Sequence, residues 1–235
     1  MIFQLRKYLT IIYVFFRSQI TGWKKAENIF LPVNLSIGFN VVRWILNGRY
    51  EEGEINIIKN RLEKTDRVFE IGTGLGFISS FCAKKNGNEN VFTFEANTTN
   101  IPICKSVFKK NKVNPSLINA LLSDENGTYK FSVNKSNRLG SSALVDTGLF
   151  VEIPKYKLND KIKEIAPDFL IMDIEGAEYD IFSIIDFQTI RKVQFELHPS
   201  VLGPQKCDKI FEILSNNGFK KDVEVSSEVN FYFFR

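Results

Sequence analysis

Between Asp66 and Glu95, a short apolar run of Val68, Phe69 and Ile71 ends on three glycines at alternate positions, Gly72, Gly74 and Gly76. A helical apolar pattern follows (Phe77, Ile78, Phe81, Cys82), then a second strand-like run from Val91 to Phe94 that closes on Glu95. Glycines lack Cβ, so they permit a tight turn and let a ligand lie against bare backbone. The helix behind them offers unsatisfied N–H groups. An acid at the carboxyl end of the next strand can accept hydrogen bonds from both hydroxyls of a ribose. Strand, glycine turn, helix, strand and acid together point to a nucleoside site on an α/β sheet.

The spacing narrows the ligand. A dinucleotide fingerprint, G-x-G-x-x-G, puts its third glycine at position 77, and that residue is Phe77. This makes an NAD-dependent oxidoreductase the weaker reading. G-x-G-x-G with Glu70 two residues ahead resembles the S-adenosylmethionine motif of class I methyltransferases. That cofactor carries an ammonium, which Glu70 can help hold, directly or through backbone and water.

A chain of 235 residues suits one α/β domain with an added segment. Its net charge of +4 is too small to mark a nucleic-acid partner. Cys82, Cys104 and Cys207 are odd in number and lack ligand spacing. They fit a reducing, cytoplasmic setting. Residues 1–25 carry Ile2, Leu5, Leu9, Ile12 and Phe16 at helical spacing, but the unbroken apolar run, Ile11 to Phe16, is too short to span a bilayer. The expectation is a helix packed on the main domain, or one making weak contact with a membrane surface.

Strand and helix then alternate, which predicts a doubly wound, mostly parallel seven-stranded sheet with an N-terminal helical cover. The cover is assigned to residues 1–50 and the main domain to 51–235. Strand-like structure is expected over 34–46 and an amphipathic helix over 51–62. Further strands are expected at 116–122, 129–133, 168–174 and 193–197, with two late ones at 219–225 and 229–234. The polar loop 134–148 is a candidate acceptor contact.

In such sheets ligands bind outside the carboxyl ends of the strands. Asp173 and Glu175 after one strand should therefore share a rim with Glu196 and His198 after the next. His198 is the only histidine and a candidate general base. Glu178 reads as a solvated acid in the first turn of a helix. Asp173, Glu175, Glu196 and His198 are also ligand types for Mg²⁺ or Mn²⁺, so a divalent metal is a candidate second cofactor.

The motifs E-I-G-T-G-L-G, F-E-A-N, N-A-L-L-S-D-E-N-G, L-G-S-S, M-D-I-E-G-A-E and F-E-L-H-P occur in the order found in FkbM-type methyltransferases, which the chain resembles over about residues 48–200. The resemblance implies S-adenosylmethionine as cofactor and O-methylation of a sugar, glycan or other hydroxylated small molecule. It implies that Glu70, Gly72, Thr73, Gly74 and Gly76 hold the methionine part. Glu95 with Ala96 would hold the ribose, and Asn119, Ala120 and Leu121 would border the adenine, near Ser123 and Asp124. Asp173 would sit between cofactor and acceptor, with Glu175, Glu196 and His198 on the acceptor side. Many members have Pro where this chain has Ala96, and Asp where it has Glu70; neither change removes a carboxylate. A non-catalytic nucleoside-binding module is the rival reading, and the intact rim acids count against it.

Overall fold

The computed structural model describes Tyr13, Phe16, residues 22–132 and residues 150–235. The main sheet runs in the order β11-β12-β10-β9-β3-β4-β5. Its strands are β3 (Val68–Ile71), β4 (Val91–Phe94), β5 (Ser116–Ile118), β9 (Phe169–Met172), β10 (Lys192–Glu196), β11 (Lys220–Lys221) and β12 (Asn230–Phe234). The run from β10 to β5 is parallel, and β12 lies antiparallel to both β10 and β11. This is the predicted seven-stranded, mostly parallel sheet.

Strand alternation divides the core. Val68, Phe169 and Ile171 face one hydrophobic cluster, while Phe69, Leu170 and Met172 face the other. Both faces are covered, as continuous apolar strands require. The first cluster takes α2 (Glu52–Arg61) and α3 (Phe77–Asn86) through Ile57, Ile58 and Phe77. The second takes α5 (Leu158–Ile165), α6 (Glu178–Ile184) and α8 (Pro204–Asn216) through Ile162, Phe182 and Ile210. In sequence order the strands step from β3 to β4 to β5 on one side, and from β9 outward on the other. The order reverses between β3 and β9, where a crevice opens at the carboxyl ends.

Four expectations change. The described part of the N-terminal cover is not wholly helical. It begins with a hairpin, β1 (Trp23–Ala26) and β2 (Ile29–Pro32), turned by Glu27 and Asn28 at φ 46 and 66. Residues 34–46 hold a 3-10 turn and then α1 (Phe39–Asn47), not a strand. The β-branched residues there lie at helical spacing, and Val41, Val42, Ile45 and Leu46 form the buried stripe.

Strand 116–122 is two strands. After β5 the chain leaves the main sheet, and β6 (Leu121–Ser123) pairs with β8 (Phe150–Lys157) beside β7 (Gly127–Ser132). Asn119 at the break donates to the carbonyls of Glu95 and Ala96, at 2.7 and 3.3 Å. The strand expected over 219–225 shrinks to Lys220–Lys221, because the chain turns at Asp222, whose carbonyl accepts from the Ser226 N–H at 3.2 Å and whose side chain pairs with Arg61 at 2.8 Å. The helix at α4 (Ile101–Asn111) and the one at α7 (Pro199–Leu202) complete the elements named here. The loop 134–148 and most of residues 1–25 lie outside the described residues. Among the described residues no helix is long and apolar enough to cross a membrane.

Candidate active site

The turn after β3 builds one half of the crevice. Gly72, Gly74 and Gly76 have φ values of 91, 56 and 82, a left-handed path that side chains resist. Gly72 also has no room for a side chain, because a Cβ there would lie 1.8 Å from the carbonyl oxygen of Asp173. Glu95 reaches back from β4 to this turn. Its Oε2 accepts from the Gly74 N–H at 2.9 Å and its Oε1 from the Asn97 N–H at 2.7 Å. Burial pushes its carboxyl up to about 7, against the pull of those N–H groups.

Glu70 and Thr73 lie beneath the turn, both buried and off the cavity wall. Thr73 shares a hydroxyl–hydroxyl bond with Thr93. Burial pushes the Glu70 carboxyl up to about 8, although the hydroxyls of Thr93 and Ser79 draw it down.

A cavity of about 870 Å³ fills the crevice. Gly72, Gly74, Glu95, Ala96, Ala120 and Leu121 line its β3–β5 side. Ala96 and Leu121 pack there with Phe131 as a small apolar wall. Gly76 is off the wall, as is Asn119, whose side chain braces the backbone of Glu95 and Ala96.

The other half is acidic. Asp173, Glu175, Glu196 and His198 all line the cavity, so the predicted rim is assembled. His198 Nε2 stands 3.5 Å from Glu175 Oε2 and 3.9 Å from Asp173 Oδ1. Its Nδ1 lies 2.9 Å from Glu178 Oε1, which also accepts from the Gly176 N–H at 3.0 Å. Glu178 is thus fully buried and holds the ring, where the sequence reading had it solvated. An acid two residues beyond a glycine can fold back onto that turn, and this was the available signal. Burial alone would lower the pKa of His198, but the Glu178 bond and the charges of Asp173 and Glu175 raise it to about 9. Burial, then Glu196 and Glu175, push Asp173 well above the usual carboxylate range.

Residues before the glycine turn complete the wall, and sequence reasoning missed them. Glu54 on α2 is buried and hydrogen-bonded to Glu196. Its place on the buried stripe with Ile55, Ile57 and Ile58 was a legible warning, since acids avoid such faces unless partnered. Tyr50, Glu51 and Trp44 also line the cavity. Glu51 and Glu175 both hold left-handed backbone, at φ 49 and 55, a cost of about 1–3 kcal/mol each that tends to collect at functional sites. With Glu54 added, the four candidate metal ligands form two overlapping sets that share Asp173. One is Asp173, Glu175 and His198; the other is Glu54, Asp173 and Glu196, each with its ligand atoms within 4.8 Å of one another.

Comparison with known proteins gives a family and a fold. A family model described as the methyltransferase FkbM domain matches residues 70–221. Among solved structures, the chain is similar to a precorrin-6y C5,15-methyltransferase from Geobacter metallireducens. The TM-score is 0.50 at 14% identity, covering 80% of this chain and 90% of that one. It is also similar to the Pyrococcus abyssi tRNA (uracil-54, C5)-methyltransferase in complex with S-adenosyl-L-homocysteine. There the TM-score is 0.50 at 12% identity, over 90% of this chain and 42% of that one. At these identities the likeness is one of fold. No curated protein matches in sequence.

Proposed function

The chain belongs to the FkbM methyltransferase family, and on that premise we propose that it transfers a methyl group from S-adenosylmethionine to a hydroxyl of a sugar, a glycan or another hydroxylated metabolite. The observation that carries this reading is Glu95, at the end of β4, bonded to the Gly74 N–H of the glycine turn after β3, on the cavity wall beside the reversal of strand order. The residues fit the cofactor. Gly72 has no space for a Cβ, and the turn presents bare backbone. Glu95 lines the cavity and is held there by the Gly74 and Asn97 N–H groups, with further bonds from the Asn100 side chain and the Thr73 backbone. Ala96, Ala120 and Leu121 offer a small apolar wall to a purine. Glu70 and Thr73 shape the turn from below, and Asn119 fixes the Glu95–Ala96 corner.

S-Adenosylmethionine supplies a methyl carbon that is already electrophilic. The protein's task is then to align an acceptor hydroxyl and remove its proton. Asp173 is our base. It borders both halves of the cavity, and its raised pKa brings it toward the working pH, where a general base is most effective. His198, held as an imidazolium by Glu178, opposes the charge of Asp173 and Glu175 and positions them. Glu175 and Glu196 accept hydrogen bonds from acceptor hydroxyls. We assign residues 51–235 to the catalytic domain and residues 1–50 to its cover. Supporting this, Ile29, Leu31 and Val42 enter the core beneath β3.

The test is product analysis with methyl-labelled S-adenosylmethionine and a panel of sugars, glycans and alcohols, with the methyl position read by NMR. Label on oxygen is expected. Label only on nitrogen or carbon would remove the O-methylation reading and leave methyl transfer standing.

A further inference from the structure

The cavity has one wall that the family match does not reach. Residues 44–54 precede the matched segment, 70–221, yet Trp44, Tyr50, Glu51 and Glu54 all line the cavity. Glu54 bonds to Glu196 at the end of β10. Glu95 stands at the end of β4, three strand spacings away, ~14 Å at the usual interval between strands. The segment therefore runs along both parts of the crevice: Tyr50 bonds to the backbone of Leu75 in the glycine turn, and Glu54 reaches the acid rim at Glu196.

Trp44 is out of place for a core residue. Its neighbours on α1, Val41, Val42, Ile45 and Leu46, are buried, while Trp44 is 44% exposed. A large exposed aromatic is uninformative on an open surface, but on a cavity wall it is a contact surface awaiting a partner. Of the charged groups that line the same cavity, most are carboxyls, Glu51, Glu52 and Glu54 from the same segment and Asp173, Glu175 and Glu196 from the rim, beside the cations Arg49 and His198. A carboxyl group accepts hydrogen bonds whether it is ionised or protonated. A partner for this wall has a flat apolar face for the indole and several hydroxyl donors at its edge. A pyranose ring presents both, since its axial C–H bonds gather on one face and its hydroxyls point outward. A linear polyol has the donors without the face.

We infer that Trp44 is a specificity-determining residue of the acceptor pocket, an aromatic platform that selects ring-shaped over linear polyols. This rests on the methyltransferase reading of the site and names the part of the acceptor that the cover segment reads. The carboxylates take the ring's hydroxyls, and the indole fixes which face of the ring meets Asp173.

The chain has two tryptophans, Trp23 and Trp44, so Trp44 emission can be isolated in a Trp23→Phe variant. That protein, saturated with S-adenosylhomocysteine, is titrated with a panel of methyl hexopyranosides and methyl 6-deoxyhexopyranosides, with sorbitol as the linear control. We expect a saturable change in Trp44 emission with at least one pyranoside and none with sorbitol. Calorimetry on the otherwise native chain should then show that pyranoside bound about tenfold more weakly by Trp44→Leu and within threefold of native by Trp44→Phe. Affinity for S-adenosylhomocysteine should stay within twofold in both variants. No response to any pyranoside, an equal response to sorbitol, or equal binding by the Leu and Phe variants overturns the inference. If S-adenosylhomocysteine binds and the pyranosides do not, this inference alone fails. If S-adenosylhomocysteine itself does not bind, the methyltransferase reading falls with it.

Discussion

Gly72 and Asp173 meet backbone to backbone where the strand order reverses: a Cβ on Gly72 would stand 1.8 Å from the Asp173 carbonyl oxygen. That oxygen belongs to the main chain, so no side-chain rotation relieves the overlap. Gly72 also sits at φ 91, where an alanine is strained in its own right. Gly72→Ala should therefore cost more than about 4 kcal/mol, the range reserved for severe lesions. Chemical denaturation measures it. A variant within 1 kcal/mol of native would show that β3 and β9 can part freely.

The pairing of His198 with Glu178 predicts a particular pH profile. In our reading Asp173 is the base, and the imidazolium offsets part of the rise in its pKa. Replacing His198 by Gln removes a positive charge, so the Asp173 pKa rises and the acidic limb of kcat/KM moves to higher pH. A shift of one unit lowers turnover at pH 7 about tenfold, with recovery in alkali. Cofactor affinity should change by no more than a few-fold. Were His198 itself the base, the variant would be slow at every pH, by about a hundredfold or more.

Stability should fall as pH rises. Burial raises the Glu70 carboxyl from its ordinary 4.5 to about 8 in the folded chain, so the native state binds more protons than the unfolded state between those values. His198, raised from 6.5 to about 9, acts with the same sign: its contribution is complete below 6.5 and is lost through 9. One pKa unit is about 1.4 kcal/mol, so ionising Glu70 alone costs on the order of 5 kcal/mol. The melting temperature of the ligand-free protein should decline from pH 5 to pH 9, and Glu70→Gln should flatten much of that slope. A native protein that gains stability over this range would contradict the buried placement of Glu70.

Chelation tests the alternative use of the rim. The imidazolium of His198 already faces Asp173 and Glu175 at 3.9 and 3.5 Å, and Glu54 and Glu196 share a hydrogen bond. We expect turnover to survive exhaustive treatment with EDTA. Loss of activity restored by Mg²⁺ or Mn²⁺ would instead make Glu54, Asp173 and Glu196 a working metal set.

The parts of this site that were legible in the sequence are those carried by short-range pattern. Gly72 to Gly76 and Glu95 are separated by one helix and one strand, so their meeting follows from a single β-α-β unit. Asp173 and His198 follow adjacent parallel strands, and the rim rule brings them together. The stripe around Glu54 signals its burial, but its partner, Glu196, is 142 residues away, so the contact itself is not legible in the local pattern. The helix at 39–47 was misread since Val41, Val42 and Ile45 favour strands intrinsically, and burial overrode that preference. Glu70 kept its predicted position in the motif, but its side chain faces the core beneath the turn, because alternation along β3 places it on the same face as Val68.

The most direct measurement is isothermal calorimetry of S-adenosylmethionine against the purified chain and its Glu95→Ala variant. Glu95 would give the ribose two charged hydrogen bonds, each worth about 1.5–3 kcal/mol. The native chain should bind one cofactor per chain saturably, and Glu95→Ala should bind about ten- to a thousandfold more weakly, at 1.4 kcal/mol per factor of ten. Absence of heat from the native chain at millimolar cofactor, or equal affinity in the two proteins, would contradict the assignment of this crevice to S-adenosylmethionine.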